Sequence, residues 1–424
     1  MKKITILLVL GFLALHGNAQ TNPELKSLVQ QSFTYFPKLQ ELEKSNEINS
    51  LRVDVAKSNY LPSVSGTASY SYIDPVGKAS FPVGPGETRS LQFQPNNNYN
   101  ANIGLNQILW DFGRTQAQVE KLKAELQAGQ YNKEAAQLQL AAQVATIYYT
   151  LIYLDRAIGV QDSVIAFYER NAAIVEGKIR QGDALQLDLS NTKNSIELEK
   201  SRKVEFQRLR QRQIALLNYT TGREDAPTSK QFDFQLSSVS SGENNPELLS
   251  INNRILAAEA DIKQAQRNQL PSLNLQANAG VRNGYQPDID EIRFNYLAGV
   301  TLSVPIFQGH RLNQNVQIAR RSVELNRFSQ ANLSASLKKD LESAQGDEKA
   351  YAEQATHANG QIELNREALR LTRVRYEKGV GTFFDLDYAS TNLQRAELNK
   401  LQFEYQQCLA KIEQSRLLGV KFWE

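Results

Sequence analysis

Side chains able to make or break bonds are scarce in this chain. Beyond the first 20 residues it has two histidines, His310 and His357, and one cysteine, Cys408, which sits deep in a helical pattern. There is no Gly-rich phosphate loop and no group of His, Cys, Asp and Glu at metal-ligand spacing. Carboxylates are plentiful, but nothing positions a pair for acid–base work, so neither an enzyme nor a cofactor or metal site is expected. The acids that stand out do so by repetition: Asp188-Leu189 and Asp385-Leu386 each begin six residues after a glycine, Gly182 and Gly379. Both acids fall in the first turn of a helix, where the N-terminal dipole favours a carboxylate. The chemistry open to them is electrostatic.

These acids belong to a longer repeat. Leu109-Trp110 matches Ile306-Phe307, Arg114 matches Arg311 and Gly222 matches Gly419, all at an offset of 197 residues. Upstream the offset is 209, pairing Phe36-Pro37-Lys38-Leu39 with Asn245-Pro246-Glu247-Leu248 and Leu61-Pro62 with Leu270-Pro271. The first half therefore carries 12 extra residues, placed in a loop at about Asp74 to Asn97. A period near 200 is too long for a solenoid, whose repeats run to about 50 residues. A duplicated subdomain is expected: residues 1–19 as a leader, 20–222 as the first repeat, 223–244 as a polar equatorial linker and 245–424 as the second repeat.

Met1-Lys2-Lys3, the apolar run from Ile4 to Leu15 and then Gly17-Asn18-Ala19 read as a secretory signal peptide cleaved after Ala19. That run is too short to span a membrane, and no other stretch approaches the roughly 20 residues needed. Membrane entry would have to be by strands. With 48 basic and 45 acidic residues the charge is nearly balanced, and export makes nucleic acid an unsuitable partner. A single cysteine excludes a disulfide framework.

The elements that hold the two acids are helical. From Asp111 to about Arg180 the chain is rich in Ala, Gln, Glu, Lys and Leu, with no proline. Apolar residues keep a seven-residue period there: Leu151, Ile158, Ile165, Ala172 and Ile179 in one row, Ile147, Leu154, Tyr168 and Val175 in the next. Gln161 is the one polar residue in either row. A sustained period of about 3.5 marks coiled-coil packing. Gly182 should stop this helix as a left-handed cap, with Lys178 and Arg180 against its C-terminal dipole. Asp183 is expected to cap the returning helix, which runs to about Tyr219. The second half repeats this with Arg373, Arg375 and Lys378 before Gly379, then Val380-Gly381, Thr382 as cap, and a helix to about Leu418. Asn22 and Pro23 read as the N-cap and first residue of another helix. Shorter helices, Pro37 to Tyr60 and Pro246 to Leu270, would stack on the returning helices to match the long ones in length.

Four alternating segments lie between short and long helices. Val64, Gly66, Ala68, Tyr70 and Tyr72 oppose Ser63, Ser65, Thr67, Ser69 and Ser71; Tyr99, Ala101, Ile103 and Leu105 oppose Asn98, Asn100, Asn102 and Asn106. In the second half Leu273, Leu275, Ala277, Ala279 and Val281 oppose Ser272, Asn274, Gln276 and Asn278, and Phe294 to Ile306 alternates likewise. Strands of this length, apolar on one face and uncharged polar on the other, match a transmembrane β-barrel. Four strands cannot close a barrel, and open edges do not survive in lipid, so the barrel must be shared between chains.

The Pro-x-Leu helix openings at Pro37 and Pro246, the Leu-Pro-Ser at Leu61 and Leu270, the strand exit Val304-Pro305-Ile306-Phe307-Gln308-Gly309 and the Gly-x6-Leu tips occur in a linked, duplicated order. With them the chain resembles the outer-membrane efflux protein family, the TolC-like ducts. The resemblance implies a mixed α and β membrane protein. It would be a homotrimer whose 12-stranded outer-membrane barrel, four strands per chain, continues into a long periplasmic α-helical barrel of coiled-coil hairpins. It implies the outer membrane of a Gram-negative bacterium, with a large periplasmic part. It also implies a passive exit duct of a tripartite efflux or type I secretion system, with a periplasmic adaptor and an inner-membrane pump as partners. By the same resemblance the helical tips, with turns at Gly182, Asp183, Gly379, Gly381 and Thr382, form a gate. Asp188 would pair across the coils with Tyr376. Asp385 matches one acidic ring at the pore entrance; the second ring position is Tyr388, with Asp387 one residue before it. Gly381 stands where the family has an arginine. Adaptor contact is expected in the grooves beside the tips, near Gln181 and Lys378. The alternative is an exported coiled-coil scaffold or adhesin without a barrel.

Overall fold

The computed structural model describes residues 22–236, 242 and 244–424. The expected leader at 1–19 and part of the 223–244 linker lie outside the described residues. In chain order come α1 (Pro23–Tyr35), α2 (Pro37–Ser58), β1 (Ser63–Tyr72), β2 (Lys78–Gly84), β3 (Glu87–Gln92), β4 (Asn97–Trp110), α3 (Arg114–Gln181) and α4 (Gln186–Thr221). Then follow α5 (Pro246–Arg267), β5 (Ser272–Arg282), β6 (Arg293–Ser303), α6 (Arg311–Glu377) and α7 (Phe383–Leu417). The order α2, β1, β4, α3, α4 thus recurs as α5, β5, β6, α6, α7. The chain divides into two compact units: Met1–Leu42 with Asn132–Leu248 and Leu333–Glu424, and Glu43–Tyr131 with Leu249–Asn332.

The second unit holds an antiparallel sheet in the order β1-β4-β5-β6. Its register keeps the two faces apart across all four strands. Val64, Leu105, Ala277 and Ala298 align in one row, and Ala68, Ala101, Val281 and Phe294 in another. On the opposite face Thr67 pairs with Asn102, Asn106 with Gln276 and Asn274 with Thr301. The apolar face is uncovered, with Tyr296 80% exposed and Val64, Phe294, Val300 and Leu302 exposed too. The 74–97 segment, expected as a plain loop, carries a separate two-stranded hairpin of β2 and β3. In the same unit α2 packs on the early turns of α3 through Val53, Ala56 and Val119. Lys121 of α3 pairs with Asp261 of α5 at 2.7 Å.

The first unit is helical. Of the two heptad rows, Ile158 and Ile179 are half-buried and the remaining members, Gln161 included, are buried. The core runs through Leu25, Leu28, Leu140, Val144, Tyr148, Tyr149, Leu151, Leu217 and Trp423. Asn22 caps α1 by accepting the Glu24 N–H, with Pro23 in the first turn. The described part of the linker lies on this core. Its Asp233 accepts hydrogen bonds from Tyr149 at 2.8 Å and Asn22 at 3.1 Å. Cys408 is buried here, and that burial pushes its thiol up to about 12, which favours the protonated form at neutral pH.

Candidate functional site

Both candidate tips lie within the helical unit, and the two hairpins turn by the same device. At each, glycine takes the left-handed conformation that lacks a penalty only for glycine, φ +82° at Gly182 and +76° at Gly379. The Asp183 N–H donates to the Lys178 carbonyl at 2.9 Å and the Gly182 N–H to that of Ile179 at 3.1 Å; Val380 to Arg375 and Gly379 to Tyr376 repeat the pattern. These are Schellman stops, which satisfy the last carbonyls of α3 and α6.

The stop corrects the expected cap of α4. Asp183 has its N–H committed to ending α3, so the chain needs two further residues before it can re-enter a helix, and Leu185 is the N-cap. Leucine has no acceptor, and Asp188 reaches back alone to the Leu185 N–H at 3.2 Å. At the other tip Thr382 caps α7 as expected. Its hydroxyl oxygen accepts the Asp385 N–H at 3.1 Å, while the Asp385 carboxylate accepts the Thr382 N–H at 3.1 Å and its hydroxyl at 2.8 Å. This reciprocal capping box and nearby Arg375 hold the Asp385 carboxyl below the usual carboxylate range. Asp188 and Asp385 thus occupy equivalent third positions of their helices.

Beneath the tips four helices share one apolar cluster, with Val164, Tyr168, Ala172 and Val175 of α3, Leu189 and Ile196 of α4, Tyr376 of α6 and Phe383 and Leu386 of α7. Tyr376 is buried in it, and its hydroxyl finds no hydrogen-bond partner among the described residues. Burial, and secondarily the charge of Asp188, raise its pKa. The expected pair is therefore brought into one neighbourhood without a bond between its members. Lys178 instead crosses to Tyr376, donating to its carbonyl at 2.6 Å with the ammonium 4.4 Å from the ring centroid.

The remaining candidates separate. Asp385 and Tyr388 are exposed, Tyr388 at 63%, whereas Asp387 is turned inward and accepts from Tyr168 at 2.8 Å and Ser195 at 3.3 Å. Gly381 leaves no easy room for a larger residue, since a Cβ there would lie 3.1 Å from the Tyr376 nitrogen and 3.3 Å from the Arg375 carbonyl carbon. Gln181 and Lys378 are both exposed beside the turns. Sequence reasoning missed Lys178 as a bridge and Tyr168 as a donor; the place of Tyr168 in a heptad row signalled burial but not its partner. No group of His, Cys, Asp and Glu suited to a metal occurs among the described residues, and no helix there is long and apolar enough to cross a membrane.

Comparison with known proteins bears on both units. The model of the family described as "Outer membrane efflux protein" matches residues 28–223 and 239–420. A probable efflux pump outer membrane protein of Pseudomonas putida, TtgC, is 21% identical over 418 residues, covering 95% of this chain and 84% of its own. The solved structure of CusC superposes with a TM-score of 0.82 at 16% identity, covering 96% of this chain and 95% of that one. VceC of Vibrio cholerae gives 0.79 at 16%, covering 94% and 96%. At these identities the structural likeness shows the fold.

Proposed function

Because this chain belongs to the outer membrane efflux protein family, we propose that three copies close their four-stranded sheets into one barrel that carries the helical duct's contents out of the cell. Membership makes the chain a passive efflux channel of the Gram-negative outer membrane and not an enzyme.

The uncovered apolar face of the sheet carries this reading. A scaffold or adhesin in water would leave Val64, Ile103, Val281 and Phe294 exposed over four strands, whereas a bilayer covers that face. The opposite face is mostly Ser, Thr, Asn, Gln and Gly, with Arg282 and Arg293 at one end and Leu297 among them, and is suited to a wet lumen. β1 and β6 are the edge strands of the sheet, each paired on one side only among the described residues. Lipid requires both edges to be paired, and a symmetric ring of about 12 strands does so.

TtgC is named as part of an efflux pump, which supports an energising inner-membrane pump joined to this duct through a periplasmic adaptor. The adaptor would meet the exposed surface around Gln181 and Lys378. In the assembled channel Asp385 forms an acidic ring at the entrance, with Asp188 near it. Asp385→Ala is expected to raise single-channel conductance or weaken block by divalent cations in planar bilayers. Asp385→Asn, which keeps an acceptor for Thr382, separates the lost charge from the lost cap, itself worth about 0.5–2 kcal/mol. Unchanged conductance and block in both would exclude Asp385 from the constriction.

A further inference from the structure

The pair expected to latch the tips makes no hydrogen bond: the Asp188 carboxylate serves the Leu185 N–H, and the Tyr376 hydroxyl is buried without a partner. A different set of contacts links the two hairpins. On α7, Asp387 accepts from the Tyr168 hydroxyl of α3 at 2.8 Å and from the Ser195 hydroxyl of α4 at 3.3 Å. Seven residues further along α7, Gln394 donates to Gln161 of α3 at 3.1 Å and to Glu199 of α4 at 2.7 Å. Gln161 lies seven residues before Tyr168, so the two rungs are one heptad apart on antiparallel helices. The next heptad step away from the tip meets Leu401 and Leu154, both buried. Farther from the tips α3 and α7 are joined again by Thr150 and Tyr405 at 2.9 Å and by Arg156 and Glu404 at 3.1 Å, so the two rungs are the polar bridges between α3 and α7 that lie nearest the tips.

The rungs differ in how they break. Gln394 gives one neutral amide bond to Gln161 and one charge-assisted bond to Glu199, whose charge Arg202 also meets at 2.6 Å, so Glu199 is not left unpaired when the rung opens. The Asp387 rung is a carboxylate receiving a hydroxyl from a buried tyrosine, a charge-assisted bond of the stronger kind. Burial, with Asp387 adding to it, raises the Tyr168 pKa well above neutrality, so the phenol remains a donor. Moving the α6–α7 hairpin away from α3 and α4 would cut two hydrogen bonds at one carboxylate and leave a buried hydroxyl unpaired, which is more costly than the loss of an exposed pair.

We propose that the Tyr168–Asp387–Ser195 junction, braced by the Gln161–Gln394–Glu199 rung, is the latch that holds this chain's tips closed, in place of an Asp188–Tyr376 pair. Asp387 is then a positioning residue between helices and not part of an acidic ring. This rests on reading the tips as the gate of an assembled channel.

Single-channel recording of the full-length assembled protein in planar bilayers tests it. Tyr168→Phe should raise the open-to-closed ratio about tenfold, the factor that follows from losing one charge-assisted hydrogen bond, and Asp387→Ala, which also frees Ser195, at least as much. The double variant should go little further than Asp387→Ala alone, because that change already removes the Tyr168 bond. Tyr376→Phe, which deletes a hydroxyl without a partner, should gate like the wild type. The latch is overturned by wild-type gating in Tyr168→Phe, by opening in Tyr376→Phe as large as in Asp387→Ala, or by an Asp387→Ala effect limited to divalent block. If Asp387→Ala does not assemble, Tyr168→Phe decides alone, since it removes a single oxygen. A wild-type protein that forms no channel contradicts the duct reading itself and is distinct from these outcomes.

Discussion

Gly280→Ala is expected to abolish the assembled barrel while Gly299→Ala leaves it intact. Both glycines lie on the polar face of the sheet, Gly280 opposite Asn102 and Gly299 opposite Gln276. A Cβ on Gly280 would sit 2.2 Å from the Ala101 carbonyl oxygen and 2.5 Å from the Asn102 Cα, whereas one on Gly299 meets nothing within 4 Å. The obstacles at Gly280 are backbone atoms of β4, so no rotamer change relieves them, and β4 and β5 must part. Overpacking of this kind costs about 1–3 kcal/mol in a soluble core. In a barrel it also opens ladder hydrogen bonds that lipid cannot replace. The measurement is the yield of heat-resistant oligomer in outer-membrane extracts. Wild-type yield from Gly280→Ala would show that the strands do not approach as closely as described.

Leu386→Ala should have the second large effect, at the other end of the mechanism. Leu386 is fully buried among Val164, Tyr168, Leu189, Tyr376 and Phe383, where α3, α4, α6 and α7 meet. Emptying such a site typically costs about 2–5 kcal/mol, depending on how far the surroundings collapse. The loss falls on the cluster that fixes the tips, so thermal stability should drop and conductance should become larger and noisier. Tyr388→Ala, two residues on and exposed, should leave stability nearly unchanged. Equal melting temperatures for Leu386→Ala and wild type would contradict the packing described.

The sheet was legible in the sequence because one face of each strand has a single environment. Alternation over Ser63–Tyr72 or Ser272–Arg282 is imposed by burial in one medium, and it identifies strand and face together. The β2–β3 hairpin was not, since Pro82 and the Gly84-Pro85-Gly86 run look like loop chemistry. At the tips, glycine positions announced both turns, because only glycine adopts their φ at no cost. What could not be read was the choice of hydrogen-bond partner. Whether Asp387 points into a pore or between helices depends on the rotation of α7, which Phe383 and Leu386 set by burying their own side chains. The cap at Leu185 was hidden for a similar reason: the residue type gives no sign of capping, and the Schellman turn decides its position.

Native mass spectrometry of the particle extracted from outer membranes in mild detergent tests the central claim most directly. Three copies per particle are predicted, because the open edges β1 and β6 must be closed by neighbouring chains. A single copy, stable and free in detergent, would contradict the shared barrel.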